Sequence, residues 1–149
     1  MKLNWVLKKL DGLSSAELYA IIKLRNEVFV VEQNCVYQDA DGIDPVSWHF
    51  AGWHNDELIA YTRIIPPGIS YEEASIGRVV TAASARKSGI GRELLQLSID
   101  HTFKLFNCPA IKIGAQVYLE NFYVSLGFVT CSEQYLEDGI PHIKMLLKK

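Results

Sequence analysis

The chain has 149 residues, 49% of them hydrophobic and 21% charged, with a formal net charge of −2. Such a composition belongs to a globular domain rather than a disordered tail, and a nearly neutral surface gives no footing for nucleic-acid binding. No apolar run approaches the ~20 residues of a membrane span, and Met1-Lys2-Leu3-Asn4-Trp5 lacks a signal-peptide core, so the expectation is one cytoplasmic domain over residues 1–149.

Leu3, Trp5 and Leu7 recur at every second position up to Lys9, the period of a half-buried strand. Asp11-Gly12 turns the chain. Ser14 and Glu17 have the spacing of a capping box, which starts a helix at Ser15. Leu18, Ile21, Ile22, Val28 and Phe29 would form its buried stripe, widened by Leu24 and Val31, with an end near Val31. Residues 32–47 read as irregular and acidic. Asp39, Asp41, Gly42 and Asp44 resemble a calcium loop in part, but the glycine falls fourth instead of sixth and Phe50 stands twelfth, where a glutamate is needed. Two readings remain: a solvated loop whose aspartates bond nearby backbone, or a carboxylate surface that draws in a cationic amine.

Trp48 to His54 and Leu58 to Ile65 read as strands joined by an Asn55-Asp56 turn. His49 and His54 then face opposite ways and make a poor metal pair. Ile76, Val79, Val80 and Thr81 favour another strand. Arg78 inside it is either a buried ion-pair partner or a substrate contact. Leu95, Ile99, Thr102, Phe103 and Phe106 recur at helical spacing, with Arg92, Glu93, Gln96 and Asp100 on the other side. A strand from Ile111 to Ala115 follows, then a short helix from Leu119 to Leu126 closed by Gly127. Phe128 to Tyr135 and Ile143 to Leu147 are the last expected strands, turned by Glu137-Asp138-Gly139. The simplest packing is an α/β (α+β) fold, one mixed and mostly antiparallel central sheet with helices on both faces. Cys35, Cys108 and Cys131 are odd in number and widely spaced, unlike a disulfide framework or a zinc site. No metal is expected.

Arg86-Lys87-Ser88-Gly89-Ile90-Gly91-Arg92 lies between the strand ending at Thr81 and the long helix. Glycine tolerates close backbone approach, and the first turn of a helix offers free N–H groups and partial positive charge to an anion. The stretch reads as a phosphate or pyrophosphate cradle, or as an ordinary strand-to-helix turn with solvated basic residues. A Walker ending is absent. A dinucleotide fingerprint would need glycine where Leu94 stands, and its acidic ribose partner is missing.

Arg86-x-x-Gly89-x-Gly91 resembles the Gln/Arg-x-x-Gly-x-Gly/Ala motif of the GNAT family of acyl-CoA-dependent N-acetyltransferases. Phe122-Tyr123-x-x-x-Gly127-Phe128 resembles the same family's Phe-Tyr-x-x-x-Gly-Phe segment. Arg25 to Gln33, Asp39 to Asp44 with His49 after it, and Tyr135 to His142 look like its ElaA-like branch. Together these segments cover most of the chain.

The resemblance implies direct transfer of an acetyl group from acetyl-CoA to a primary amine on a small molecule or peptide, with neither nucleic acid nor membrane as partner. It implies a pyrophosphate held by Arg86, Lys87, Ser88, Gly89, Ile90, Gly91 and Arg92. It implies a pantetheine arm bonded by the backbone of Val79, Val80 and Thr81, with the Val80 N–H as oxyanion donor. Tyr123 takes the place of the family's general acid; its alternative role is to pack a helix onto the sheet. The family often carries asparagine seven residues before that tyrosine, and Gln116 stands there, with the same amide on a longer arm. Glu32, Glu73 and His49 are candidates for the general base by residue type alone. A non-catalytic acyl-CoA-binding regulatory module would keep the same cradle. Strand edges of such folds commonly pair, so a homodimer is a further expectation.

Overall fold

The computed structural model describes residues 1–149. Strands β1 (Asn4–Lys9), β2 (Trp48–His54), β3 (Glu57–Ile65) and β4 (Ser75–Thr81) form an antiparallel sheet in chain order. Strands β5 (Ala110–Gln116), β6 (Val129–Thr130), β7 (Tyr135–Glu137) and β8 (Ile140–Lys148) form a second antiparallel sheet. There β8 pairs with β5 on one edge and with β6 and β7 on the other. The two sheets meet at a single parallel bridge, Ala74 to Ile111, where the Lys112 N–H donates to the Ala74 carbonyl at 2.9 Å. Beyond that bridge β4 and β5 share no ladder, so the expected mixed and mostly antiparallel sheet is split into two halves.

Three α-helices, α1 (Ser15–Arg25), α2 (Ile90–Phe106) and α3 (Glu120–Ser125), cover the sheets. The capping box forms as read: the Glu17 N–H donates to Ser14 Oγ at 3.0 Å and the Ser14 N–H donates to Glu17 Oε1 at 2.8 Å. Ser14→Ala is therefore expected to cost about 1 kcal/mol of stability, read by urea denaturation. Past Arg25 the chain winds as a π-helix over Asn26–Glu32. A π segment has more residues per turn than an α-helix, so the stripe extrapolated through it drifts off the core. Ile21 and Leu24 are buried, Val28 and Phe29 only half-buried, and Val31 is 74% exposed.

Adjacent strand residues point to opposite faces, and the core divides accordingly. Ile21 and Leu24 of α1 pack with Ala51, Leu58, Tyr61 and Val80. Ile90, Leu94, Leu95 and Ile99 of α2 pack with Ile64, Ile76, Ile111, Ile113, Phe128 and Met145 in the larger cluster. Arg92, Glu93, Gln96 and Asp100 are exposed, as the helical spacing predicts. At the β2–β3 turn Asn55 and Asp56 both take positive φ, 49° and 63°, which suits the twist of a tight hairpin.

The strand expected over Phe128–Tyr135 is interrupted, leaving only β6 and β7. Between them the Cys131 N–H donates to the Lys144 carbonyl and the Lys144 N–H donates to Ser132 Oγ, both at 2.9 Å. A side chain thus replaces a ladder carbonyl, and the segment stays tethered to β8 without pairing as a strand.

Candidate active site

The site is opened by two features of β4. Its pairing with β3 moves from Tyr61–Val80 to Arg63–Gly77, so three residues of β4 span two of β3. This is a β-bulge, and a bulge bends its strand. Arg78 sits in it with φ of 49°, a left-handed conformation for a residue with a side chain. The second feature is the parting of β4 from β5. Together they leave a cleft of about 470 Å³ whose walls come from β4, β5, α3, the π segment and the β7–β8 turn. That volume lies in the range of small-molecule sites.

Val79, Val80, Thr81, Arg86, Gly91, Gln116 and Tyr123 line the cleft. Lys87, Ser88 and Gly89 are exposed on the loop beside it, and Arg92 is exposed on the first turn of α2. The Ile90 side chain is 4% exposed and belongs to the core, so only its backbone could reach a ligand. Gly89 is the N-cap of α2, with φ of 84° and no side chain capping the helix. The first N–H groups of α2 therefore lack an intrahelical or side-chain partner. A Cβ added at Gly89 or Gly91 would meet no atom within 4 Å, so the space above the loop is open.

The loop's cationic side chains are not all free. Arg86 forms a two-point ion pair with Glu32, Nη1–Oε2 at 2.8 Å and Nη2–Oε1 at 2.9 Å. Arg92 donates to Ser125 Oγ at 2.8 Å and lies 5.4 Å from the Phe122 ring centroid. Gln116 contacts Gln33 at 3.5 Å.

Tyr123 is 5% exposed and packs edge-on against Phe122 and Phe128, with centroids 5.4 and 5.7 Å away. Arg63 Nε is the one buried side-chain nitrogen or oxygen without a partner. The Tyr123 hydroxyl, which bonds to no protein group, must therefore reach the cleft. Burial pushes its ionisation well above the ordinary phenol range. Its ring packs α3 against Phe122 and Phe128, and the residue stands in the cleft wall.

The candidate bases fare unequally. His49 is 1% exposed and does not line the cleft. Its Nε2 bonds the Asp44 carbonyl at 3.0 Å and its Nδ1 lies 2.6 Å from the Tyr61 hydroxyl. A carbonyl only accepts, so Nε2 carries the hydrogen and Nδ1 accepts from Tyr61. Burial lowers its proton affinity further. Glu73 is also off the cleft. Glu32 lines it but is spent on Arg86, whose hydrogen bond holds the carboxyl below its usual range. The sequence reading missed His142, which does line the cleft. Its alternation with the core residues Ile143 and Met145 could have set it on the other face of the strand, but only the pairing of β8 with β5 puts that face in the cleft.

The acidic segment is neither a solvated loop nor a free carboxylate surface. Asp39 and Asp44 are buried with Arg25, which is 0% exposed. Arg25 Nε donates to Asp39 Oδ2 and Nη1 to Asp44 Oδ1, both at 2.8 Å. Arg63 Nη1 donates to Asp41 at 2.8 Å and to Asp44 at 2.9 Å. Arg78 Nε donates to Asp39 Oδ1 at 2.9 Å and Nη2 to Asp41 Oδ2 at 3.2 Å, so Arg78 is an ion-pair residue that also lines the cleft. One local bond of the expected kind exists, from the Ile43 N–H to Asp41 Oδ1 at 3.1 Å.

Burial pushes the Asp41 carboxyl up, but the bonds from Arg63 and Ile43 outweigh it and hold the group at about 2, below the ordinary 3.8. Asp44 is lowered by Arg25 and Arg63 against the same opposing burial. Depressed carboxylates stabilise the fold above their unfolded values and lose that contribution on protonation. The melting temperature is expected to fall as pH drops from about 4 towards 2, as circular dichroism would record. A flat profile across that window would mean that the network adds no stability.

Residues 17–149 match the family described as acetyltransferase (GNAT) domain. Protein ElaA of Escherichia coli is 44% identical over 135 residues, which cover 89% of this chain and 88% of that protein. The crystal structure of Escherichia coli ElaA superposes with a TM-score of 0.92 at 40% identity, covering 98% of this chain and 99% of its own. An acyl-CoA N-acyltransferase from Pseudomonas aeruginosa gives the same TM-score of 0.92, identity of 40% and coverage of 98% and 99%. An aminoglycoside 6'-N-acetyltransferase complexed with coenzyme A shares the fold alone, with a TM-score of 0.72, 17% identity and 96% of each chain covered.

Proposed function

The chain belongs to the GNAT acetyltransferase family, whose chemistry is acyl-CoA-dependent acyl transfer, and on that premise we propose that it moves the acetyl group of acetyl-CoA to a primary amine. The observation that carries this reading is the unpartnered Tyr123 hydroxyl facing a cleft that has an uncapped helix N-terminus beside it. An acid and an anion cradle at one opening are what a phosphorylated thioester needs.

The residues fit coenzyme A in the following way. The N–H groups of Ile90, Gly91 and Arg92 would hold the pyrophosphate, with charge from Lys87, and from Arg86 once it exchanges its exposed pair with Glu32 for the phosphate, and with the Ser88 and Gly89 backbone shaping the turn. Strand β4, unpaired on its β5 side past Ala74, would offer Val79, Val80 and Thr81 to the pantetheine amides, as an added strand would pair with an edge. Gln116 would reach the same arm from β5. The Val80 N–H would face the carbonyl oxygen as it becomes negative. Tyr123 would give its proton to the departing sulfur. Its raised ionisation keeps the phenol protonated at neutral pH, and the same apolar surroundings raise the proton affinity of a thiolate.

Thiol release from acetyl-CoA, followed across polyamines, amino acids, aminoglycosides and short peptides, tests the proposal. Amine-dependent release is expected. Tight acetyl-CoA binding without release from any amine would favour a binding module. Arg86→Ala with Lys87→Ala is expected to weaken coenzyme A binding by roughly tenfold or more in a calorimetric titration. Unchanged affinity would reject the phosphate cradle.

A further inference from the structure

Resting on the acetyl-transfer reading, we propose that His142 is the general base that frees the acceptor amine, with Glu137 holding the imidazolium that results. The His142 ring lies in the cleft wall that contains Tyr123. Strand register places it opposite Gln116 of β5 and Tyr135 of β7, so it is fixed by ladders on both sides. Its Nδ1 lies 2.7 Å from the Ile140 carbonyl. A carbonyl can only accept, so Nδ1 carries the hydrogen and the neutral ring keeps its lone pair on Nε2. Nε2 is 3.4 Å from Glu137 Oε2. When Nε2 takes a proton, both ring N–H groups have an acceptor waiting. No other imidazole has that arrangement: His49 has both nitrogens engaged behind the sheet.

Other charged and titratable groups stand around the ring, and Asp138 and Glu32 share its cleft wall. Tyr135 stacks on it with centroids 5.9 Å apart. Lys144, on the same face of β8, lies 5.6 Å from the Tyr135 and Tyr71 ring centroids. Cys35 donates to the Asp138 carbonyl at 3.5 Å, joining the segment after the π-helix to the β7–β8 turn. Arg78 is committed to Asp39 and Asp41, and Arg86 to Glu32. Glu137 is the carboxylate in contact with the ring, placed to hold the imidazolium.

The step balances. A primary ammonium loses one proton to Nε2, and its nitrogen lone pair attacks the thioester carbon. The N–C bond forms and the C–S bond breaks. Sulfur leaves with the bonding pair and takes the Tyr123 proton. The second nitrogen proton returns through water to the Tyr123 oxygen, and His142 releases its proton to solvent, one per turnover.

The test is the pH profile of kcat/KM for amine-dependent thiol release in wild type, His142→Gln and Glu137→Gln, with acetyl-CoA affinity measured alongside. His142→Gln is expected to lose about 100-fold near neutral pH. The deficit should shrink as pH rises towards the acceptor's own ionisation, where amine arrives neutral, and acetyl-CoA affinity should stay unchanged. Glu137→Gln is expected to lower kcat/KM near neutral pH while acetyl-CoA affinity stays unchanged. A wild-type rate and profile in His142→Gln, or a loss of equal size at every pH, would overturn the base role. If wild type releases no thiol with any amine, the acetyl-transfer reading itself fails. Nitrogen-15 NMR of the His142 ring gives a readout independent of turnover: the Nδ1–H tautomer is expected, and an Nε2–H neutral tautomer would overturn the assignment.

Discussion

Arg25→Ala is expected to remove about 3–5 kcal/mol of stability, the usual cost of taking one partner from a buried ion pair. For a chain of 149 residues that corresponds to a fall of about 6–20 °C in melting temperature. The size follows from what is left behind. Arg25 is fully enclosed and serves both Asp39 and Asp44, whose carboxylates are buried with it. Arg63 still holds Asp44 Oδ1 and Arg78 still holds Asp39 Oδ1, but Asp39 Oδ2 and Asp44 Oδ2, which bond Arg25 alone, would lose their donor. Asp39 also anchors Arg78, so the loss reaches the bulge of β4 that shapes the cleft. A drop below about 1 kcal/mol would show that the cluster is solvated and behaves like a surface pair.

Tyr123→Phe is expected to lower kcat by about 100-fold or more, within the usual range for a lost general acid, with acetyl-CoA affinity nearly intact. Phenylalanine keeps the edge-on packing against Phe122 and Phe128, and no hydrogen bond is lost because the hydroxyl has no protein partner. Stability should therefore hold while turnover falls. Full activity in the variant would take Tyr123 out of the acid role. An equal fall in stability and in turnover would make it a packing residue alone.

What could be read from the sequence was local chemistry. The Ser14–Glu17 capping box, the Asn55–Asp56 turn, the amphipathic face of α2 and the Gly127 stop of α3 each depend on residues a few positions apart. The two glycine-containing motifs gave the family in the same way. What escaped depends on pairing across the chain. Arg25 lies 14 residues from Asp39 and 19 from Asp44, and nothing in the acidic run says that arginines from α1, β3 and β4 converge on it. The left-handed Arg78 is a product of the bulge, and the bulge is a property of two strands. His142 looks like any strand histidine until the register of β8 sets it opposite Gln116. The π-helix after Arg25 defeated a stripe drawn at 3.6 residues per turn, because its wider turn carries successive side chains off the face that the helical period assigns them.

The most direct test of the central claim is to incubate the purified protein with acetyl-CoA carrying an isotopically labelled acetyl group and a set of primary amines, then to recover each amine and free coenzyme A. Label on the amine nitrogen, matched mole for mole by free thiol and abolished by denaturing the protein, is the expected result. Acetyl-CoA held tightly in the cleft with no label on any amine would contradict acetyl transfer to amines and leave the chain as a family member that binds its thioester without passing it on.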